Sequence, residues 1–290
     1  MFLRDAAAGA YTGTWLRTVP WPAAARVPLV AQVQEEAGPG QLTRRLIVWE
    51  IVIVFALSLG GSALFAIIDL IASLTANKSL SKQQALIVGS LAPGRPLLDL
   101  VLQLANLLIG LAPVALVCYL LVREGTTPSA AIGLDAREPG RDLAKGAVLA
   151  AAIGGSGLLL YIAAFKLGLA LNVVPENLPA VWWRIPVLIL QAARDGILEE
   201  ILVLGYLLRR LGQLGLSPAR AIAISAVVRG SYHLYQGFGG FLGNAVMGVI
   251  FALLYLRWKR VTPFIIAHGL IDTGAFVGYA VLHGHVSWLP

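Results

Sequence analysis

Residues 96–122 read PLLDLVLQLANLLIGLAPVALVCYLLV, a run of 27 residues in which Asp99 is the only charge. Wound as a helix at about 1.5 Å per residue, the run is ~40 Å long and exceeds the ~30 Å of a bilayer's hydrocarbon core. Lipid supplies no partner for backbone N–H and C=O groups, so such a run must satisfy them internally as a helix. Working outward, six further runs repeat the pattern: Leu46–Leu74, Leu143–Leu167, Ile185–Leu208, Ala219–Leu234, Phe241–Leu256 and Pro263–Leu282. The sequence therefore predicts an all-α, polytopic transmembrane bundle of about seven spans. Composition agrees. Of 290 residues 58% are hydrophobic and 13% charged, with a mean hydropathy of +0.79, against about a quarter charged in soluble domains. The lone cysteine, Cys118, excludes an intramolecular disulfide and a cysteine-based zinc site.

Residues 1–44 form the only polar stretch, interrupted by Pro20, Pro22, Pro28 and Pro39. They read as a cytoplasmic arm, disordered or lying on the surface, without the apolar core of a signal peptide. The chain divides into this arm, transmembrane helices over 45–182, and a second helical group over 183–290. The net charge of +7 resides in cations flanking the apolar runs. That placement points to membrane surfaces and excludes a nucleic-acid partner. An N-terminus in the cytoplasm puts fifteen Lys/Arg inside and five outside, so the C-terminus is expected outside and the chain in the plasma membrane. Gly60/Gly61, Gly154/Gly155 and Gly239/Gly243 are expected to let helices approach closely.

Function is sought among the ionisable groups within spans, each costing about 2.5–3.5 kcal/mol to insert at the centre. Glu50, Asp69 and Asp99 lie near span ends, where they can pair or snorkel. The second half differs. Arg194, Asp195, Glu199 and Glu200 share one span, Arg229 and His233 the next, and His268 and Asp272 the last. Counted from the basic helix ends at helical rise, Glu199 lies roughly 15 Å deep, His233 roughly 20 Å, and His268 and Asp272 roughly 12 and 18 Å. Three helices can thus build one polar centre. His268 and Asp272 stand at i, i+4, as do Arg229 and His233, so each pair shares a helix face. Glu199 and Glu200 diverge by about 100°, so at most one points directly at a common substrate.

A buried glutamate beside a histidine can act as general base toward water. A second histidine with a hydrogen-bonding partner can polarise a carbonyl or steady an oxyanion. Two histidines and a carboxylate could equally ligate zinc. If a metal is present, Glu199, His233 and His268 are its expected ligands. Arg194 and Asp195 read as structural partners. Tyr232, Tyr235 and Trp288 read as interfacial aromatics, and His283 and His285 as solvated tail residues.

The stretch from Glu199 to about Ala280 resembles the CPBP family of intramembrane proteases, which includes CAAX prenyl endopeptidases and bacteriocin-processing or Abi proteins. The family's first motif, two glutamates, three residues, arginine and usually glycine, is met by Glu199, Glu200 and Gly205, with Leu204 in place of the arginine. Its second, phenylalanine and a histidine four residues on, is met by His233, with Arg229 in place of the aromatic. Its third, histidine followed at i+4 by asparagine or aspartate, is met by His268 and Asp272.

The resemblance implies an intramembrane endopeptidase that cuts a membrane-associated or lipidated protein or peptide. Glu199 and His233 would activate water, and His268 and Asp272 would stabilise the oxyanion; the resemblance favours a metal-free mechanism, with zinc the alternative. Arg229 is expected to replace the missing arginine by reaching Glu200 from the neighbouring helix; pairing with Asp195 or Asp272 is the alternative. Outside proteolysis by glutamate, three readings remain: a non-proteolytic scaffold of the same fold, a small secondary transporter, and a rhomboid-like site at Ser156 within Gly154–Gly157. The crowding of polar groups into the second half argues against the repeated halves of a transporter.

Overall fold

The computed structural model describes residues 42–283 and 285. Nearly all of the predicted N-terminal arm, and Trp288, lie outside the described residues. The apolar runs become helices α1 (Arg44–Ala56), α2 (Leu59–Thr75), α3 (Pro96–Gly110), α4 (Ala112–Arg123), the short α5 (Pro128–Ile132), α6 (Pro139–Lys166), α7 (Arg184–Glu199), α8 (Leu208–Gln213), α9 (Pro218–Ser231), α10 (Phe238–Trp258) and α11 (Thr262–Leu282). Proline in the first turn opens six of them, α3, α4, α5, α6, α9 and α11. Its missing N–H costs nothing there and its fixed φ suits the helix.

Among the described residues, four helices are long and apolar enough to cross a membrane: Pro96–Arg123, Pro139–Lys166, Phe238–Trp258 and Thr262–Leu282. A fifth results if α1 and α2, bent by 56° at their junction, count as one. The bend falls at Leu57-Ser58, where the Ser58 hydroxyl donates to the Val54 carbonyl at 2.5 Å and a Cβ on Gly60 would lie 2.6 Å from the Phe55 oxygen. Gly60 therefore serves the bend within its own run. The other two expected spans are helical as well, α7 through α8 and α9. One carries the charges of the polar centre. The other has 14 residues, about 21 Å.

One element was not expected. Gln84–Val88 (β1) and Asn172–Glu176 (β2) pair in parallel, Gln84 opposite Asn172 and Val88 opposite Glu176. The all-α bundle thus carries a two-stranded ribbon between helix ends. Buried Glu176 bonds Arg184 and ties the ribbon to the start of α7.

The core is built around the continuous helical segment that begins as α7. Between Glu200 and Leu207 it winds as a π-helix, and all eight residues are buried. Leu202, Val203, Leu204 and Tyr206 are wholly inaccessible. At the far end, Arg210 pairs with Glu50 of α1 at 2.8 Å and with Glu124 at 3.0 Å. Outward-facing residues reverse a soluble pattern: Leu64, Phe65, Leu97, Leu108, Ile109, Val148 and Leu159 are exposed. So continuous an apolar surface suits lipid contact.

Glycine contacts decide which helices touch. A Cβ on Gly196 would lie 2.8 Å from the Ile265 carbonyl and 3.0 Å from the Gly269 nitrogen, so α7 and α11 meet backbone to backbone. Gly239 and Gly243 approach α6 as expected, meeting Ala164 and Leu160, whereas Gly155 faces open space.

At the basic end of the bundle, Arg260 is held between Asp142 and Asp135. Hydrogen bonds from Arg137, with further help from Ser129 and Arg260, hold the Asp135 carboxyl well below the usual carboxylate range.

Candidate active site

The contact at Gly196 sets the site. One turn further along, α7 presents Glu199 and Glu200, and α11 presents His268 beside them. His268 is 3% exposed, and each of its ring nitrogens faces carboxylate. Nδ1 is 2.6 Å from Glu200 Oε1, while Nε2 is 3.3 Å from Asp272 Oδ2 and 4.0 Å from Glu199 Oε2. The i, i+4 spacing of His268 and Asp272 does put them on one face.

Helix α9 closes the other side. Arg229, wholly buried, donates from Nη2 to Glu200 Oε1 at 2.6 Å, and its Nη1 lies 3.7 Å from Glu199 Oε2. Neither Asp195 nor Asp272 is its partner; Asp195 is held by Arg194 at 2.9 Å. The π-winding places Leu204 in the apolar core and Gly205 against Ile132, so a cation at 204 would be buried among hydrocarbon. The guanidinium reaches Glu200 from the next helix instead. Ser225 of α9 also donates to the Val203 carbonyl at 3.3 Å, fastening α9 to the π-wound segment.

After Ser231 the helix ends, and His233 stands at the turn before Leu234–Gln236. Its Nε2 is 3.8 Å from Glu199 Oε2. Neither ring nitrogen hydrogen-bonds to a protein group. Tyr232 corrects an expectation. It is no interfacial aromatic but a buried residue whose hydroxyl donates to Glu199 Oε2 at 2.8 Å. Sequence reading passed over it because an aromatic near a span end is usually an interface anchor; its position beside His233 was the only signal. Ser156 is exposed, and its hydroxyl donates to the carbonyls of Ala152 and Ile153 on its own helix. It forms no site with His268.

Glu199 Oε2 is thus the focus of four donors or cations, from Tyr232, His233, His268 and Arg229. Among the described residues, no three His, Cys, Asp or Glu side chains are placed to hold one metal ion. Arg229 also brings positive charge to the carboxylate that would have to be a ligand.

A family model described as type II CAAX prenyl endopeptidase Rce1-like matches residues 181–274. That match agrees with the resemblance to the CPBP intramembrane proteases read from the sequence. The matched stretch is about a third of the chain, and Glu199, Glu200, Arg229, His233, His268 and Asp272 all fall within it. No curated protein and no solved structure matches the chain.

Proposed function

We propose that the chain is an intramembrane endopeptidase that hydrolyses a peptide bond of a membrane-associated or lipidated protein or peptide, with Glu199 as general base. The observation that carries this reading is the convergence on Glu199 Oε2 of side chains from α9, its following turn and α11. Glu199 removes a proton from water while the water oxygen attacks the scissile carbonyl, and the C–O bond forms. His233, whose ring nitrogens no protein group engages, helps hold that water. His268, backed through Nδ1 by Glu200, donates from Nε2, the nitrogen beside Asp272, toward the developing oxyanion. The protonated Glu199 then delivers its proton to the leaving amine as the C–N bond breaks.

Glu200 and Arg229 brace the site, and Tyr232 fixes the Glu199 carboxylate. No step requires a metal. All seven helical segments cross or enter the bilayer, with the Arg260 end in the cytoplasm, in the plasma membrane. The shortest, α9, carries His233 into the middle of the bundle.

The test uses full-length protein in liposomes with quenched fluorescent peptides, with and without a prenylated cysteine, together with elemental analysis. Cleavage by wild type without stoichiometric zinc, lost in Glu199→Gln, supports the reading. Unchanged cleavage in Glu199→Gln overturns it, and zinc bound one to one, with loss of activity on chelation, overturns the metal-free route. Absence of cleavage of every such peptide favours the scaffold.

A further inference from the structure

At the basic end of the bundle, away from Glu199, a cavity of about 410 Å³ opens between α6 and the α10–α11 junction. It is lined by Glu138, Arg141, Lys145, Arg257, Trp258 and Arg260. Four cations against one carboxylate is a strong imbalance, but two of the cations are already engaged. Arg260 is held by Asp142 and Asp135, and Arg141 pairs with Glu138 at 3.1 Å. Lys145 and Arg257 have no carboxylate within ion-pair distance among the described residues. Lys145 is nevertheless not free to swing into water: its ammonium lies 4.6 Å from the centre of the Trp258 ring, a cation–π contact. Arg141 and Lys145 stand at i, i+4 on α6 and present their charges to one side.

The floor beneath them is rigid. Lys259 takes a left-handed backbone with φ 56°, rarely tolerated outside glycine. A Cβ on Gly133 would come within 2.2 Å of the Lys259 carbonyl, so only glycine fits below the turn. The Val261 amide donates to the Ile132 carbonyl at 3.2 Å, and the Thr262 hydroxyl to the Asp135 carbonyl at 3.0 Å. Lys145 and Arg257 lie near the ends of two of the helices long and apolar enough to cross a membrane, Pro139–Lys166 and Phe238–Trp258.

We propose that this cavity binds a phosphate group, held by Lys145 and Arg257 at its mouth with Trp258 as its apolar wall. In the intact membrane the expected carrier is an anionic phospholipid of the same leaflet, for which basic pockets between helix ends are suited. With each surface cation contributing about 1 kcal/mol, loss of both should weaken binding roughly 30-fold.

The experiment uses the full chain in neutral detergent micelles. Binding of phosphatidylglycerol, of phosphatidylcholine and of inorganic phosphate is titrated at fixed ionic strength, with native mass spectrometry counting retained lipid. The variants are the double change Lys145→Gln with Arg257→Gln, and the charge-keeping pair Lys145→Arg with Arg257→Lys. One retained phosphatidylglycerol, lost in the glutamine pair and kept in the charge-keeping pair, supports the phosphate site and assigns it to lipid. Saturation by inorganic phosphate at equal concentration, again lost in the glutamine pair, supports the site and assigns it to a soluble anion. Equal binding by the wild type and a glutamine pair that melts at the wild-type temperature overturns it, as does equal retention of phosphatidylcholine. Should the glutamine pair melt lower, single Arg257→Gln, at an exposed side chain, decides on the same criteria.

Discussion

Two arginines sit among carboxylates in this molecule, and their surroundings differ. Arg260, at the basic end, donates from Nε and Nη2 to Asp142 and from Nη1 to Asp135. Arg229, in the middle of the bundle, donates from Nη2 to Glu200, but its Nε and Nη1, Glu200 Oε2 and both nitrogens of His233 find no protein partner. The first network is saturated and joins α6, the α5–α6 loop and the α10–α11 junction. The second is under-coordinated in a region where unpaired polar groups are costly. A saturated network fixes structure. An unsaturated one leaves polar atoms that the protein itself does not pair, and in the proposed reaction these would meet water and a peptide bond.

The comparison is broken most directly by exchanging the roles. Glu199→Gln should lower cleavage about 10³-fold, within the usual range for a general base, and leave the melting temperature near wild type. Asp142→Asn should do the reverse. It should lose roughly 2 kcal/mol in reversible unfolding in detergent, less than the ~3–5 kcal/mol of a fully orphaned buried charge because Asp135 still faces Arg260, with turnover of the remaining folded protein within about twofold. If Asp142→Asn abolished turnover without loss of stability, the two networks would not be separable in this way.

Smaller effects sharpen the division inside the site. Tyr232→Phe removes one hydrogen bond to a carboxylate and should reduce kcat about tenfold with KM nearly unchanged; a change confined to KM would make Tyr232 a substrate contact. Glu200→Gln and Arg229→Met should couple by more than ~1 kcal/mol in a double-mutant cycle on stability, as members of one network do. Additive effects would mean that the close pair contributes nothing to the bundle.

The smallest effect concerns acid. Because the folded Asp135 carboxyl titrates below its unfolded value, its contribution is complete above the unfolded pKa of ~4. It is lost as pH falls through the lower folded value. Wild type should therefore lose stability below about pH 4, and Asp135→Asn should flatten that part of the profile. A steeper acid loss in the variant would contradict the assignment.

Much of the bundle was legible because the apolar runs are long and sharply bounded, and each run did become helix. Placement of Glu199, His233 and His268 near one another was legible for a similar reason, since depth can be counted along helices. What sequence could not display is equally physical. The β1–β2 ribbon joins two five-residue strands with four helices between them in the chain, so no hairpin spacing announced it. The bend between α1 and α2 lies inside an unbroken apolar run. The π-winding runs from Glu200 to Leu207, where every residue after Glu200 is apolar, aromatic or glycine and no periodic contrast reports the pitch. Tyr232 looked like an interface anchor because its partner is 33 residues away.

That π-wound segment has a consequence for length. Arg184 to Gln213 is a single helical rod whose middle accommodates extra backbone, so its two ends present faces that one regular α-helix could not. Glu199 and Glu200 look toward α9 and α11, while Arg210 looks toward Glu50 and Glu124. Rewinding the same residues between Glu200 and Leu207 as an ordinary α-helix would turn the Arg210 end relative to the glutamates by one residue's angle or more, ~100°. The rod would then satisfy one end only. The segment acts as a swivel, and rewinding it as a regular α-helix forces a choice between anchoring the helix and aiming its carboxylates.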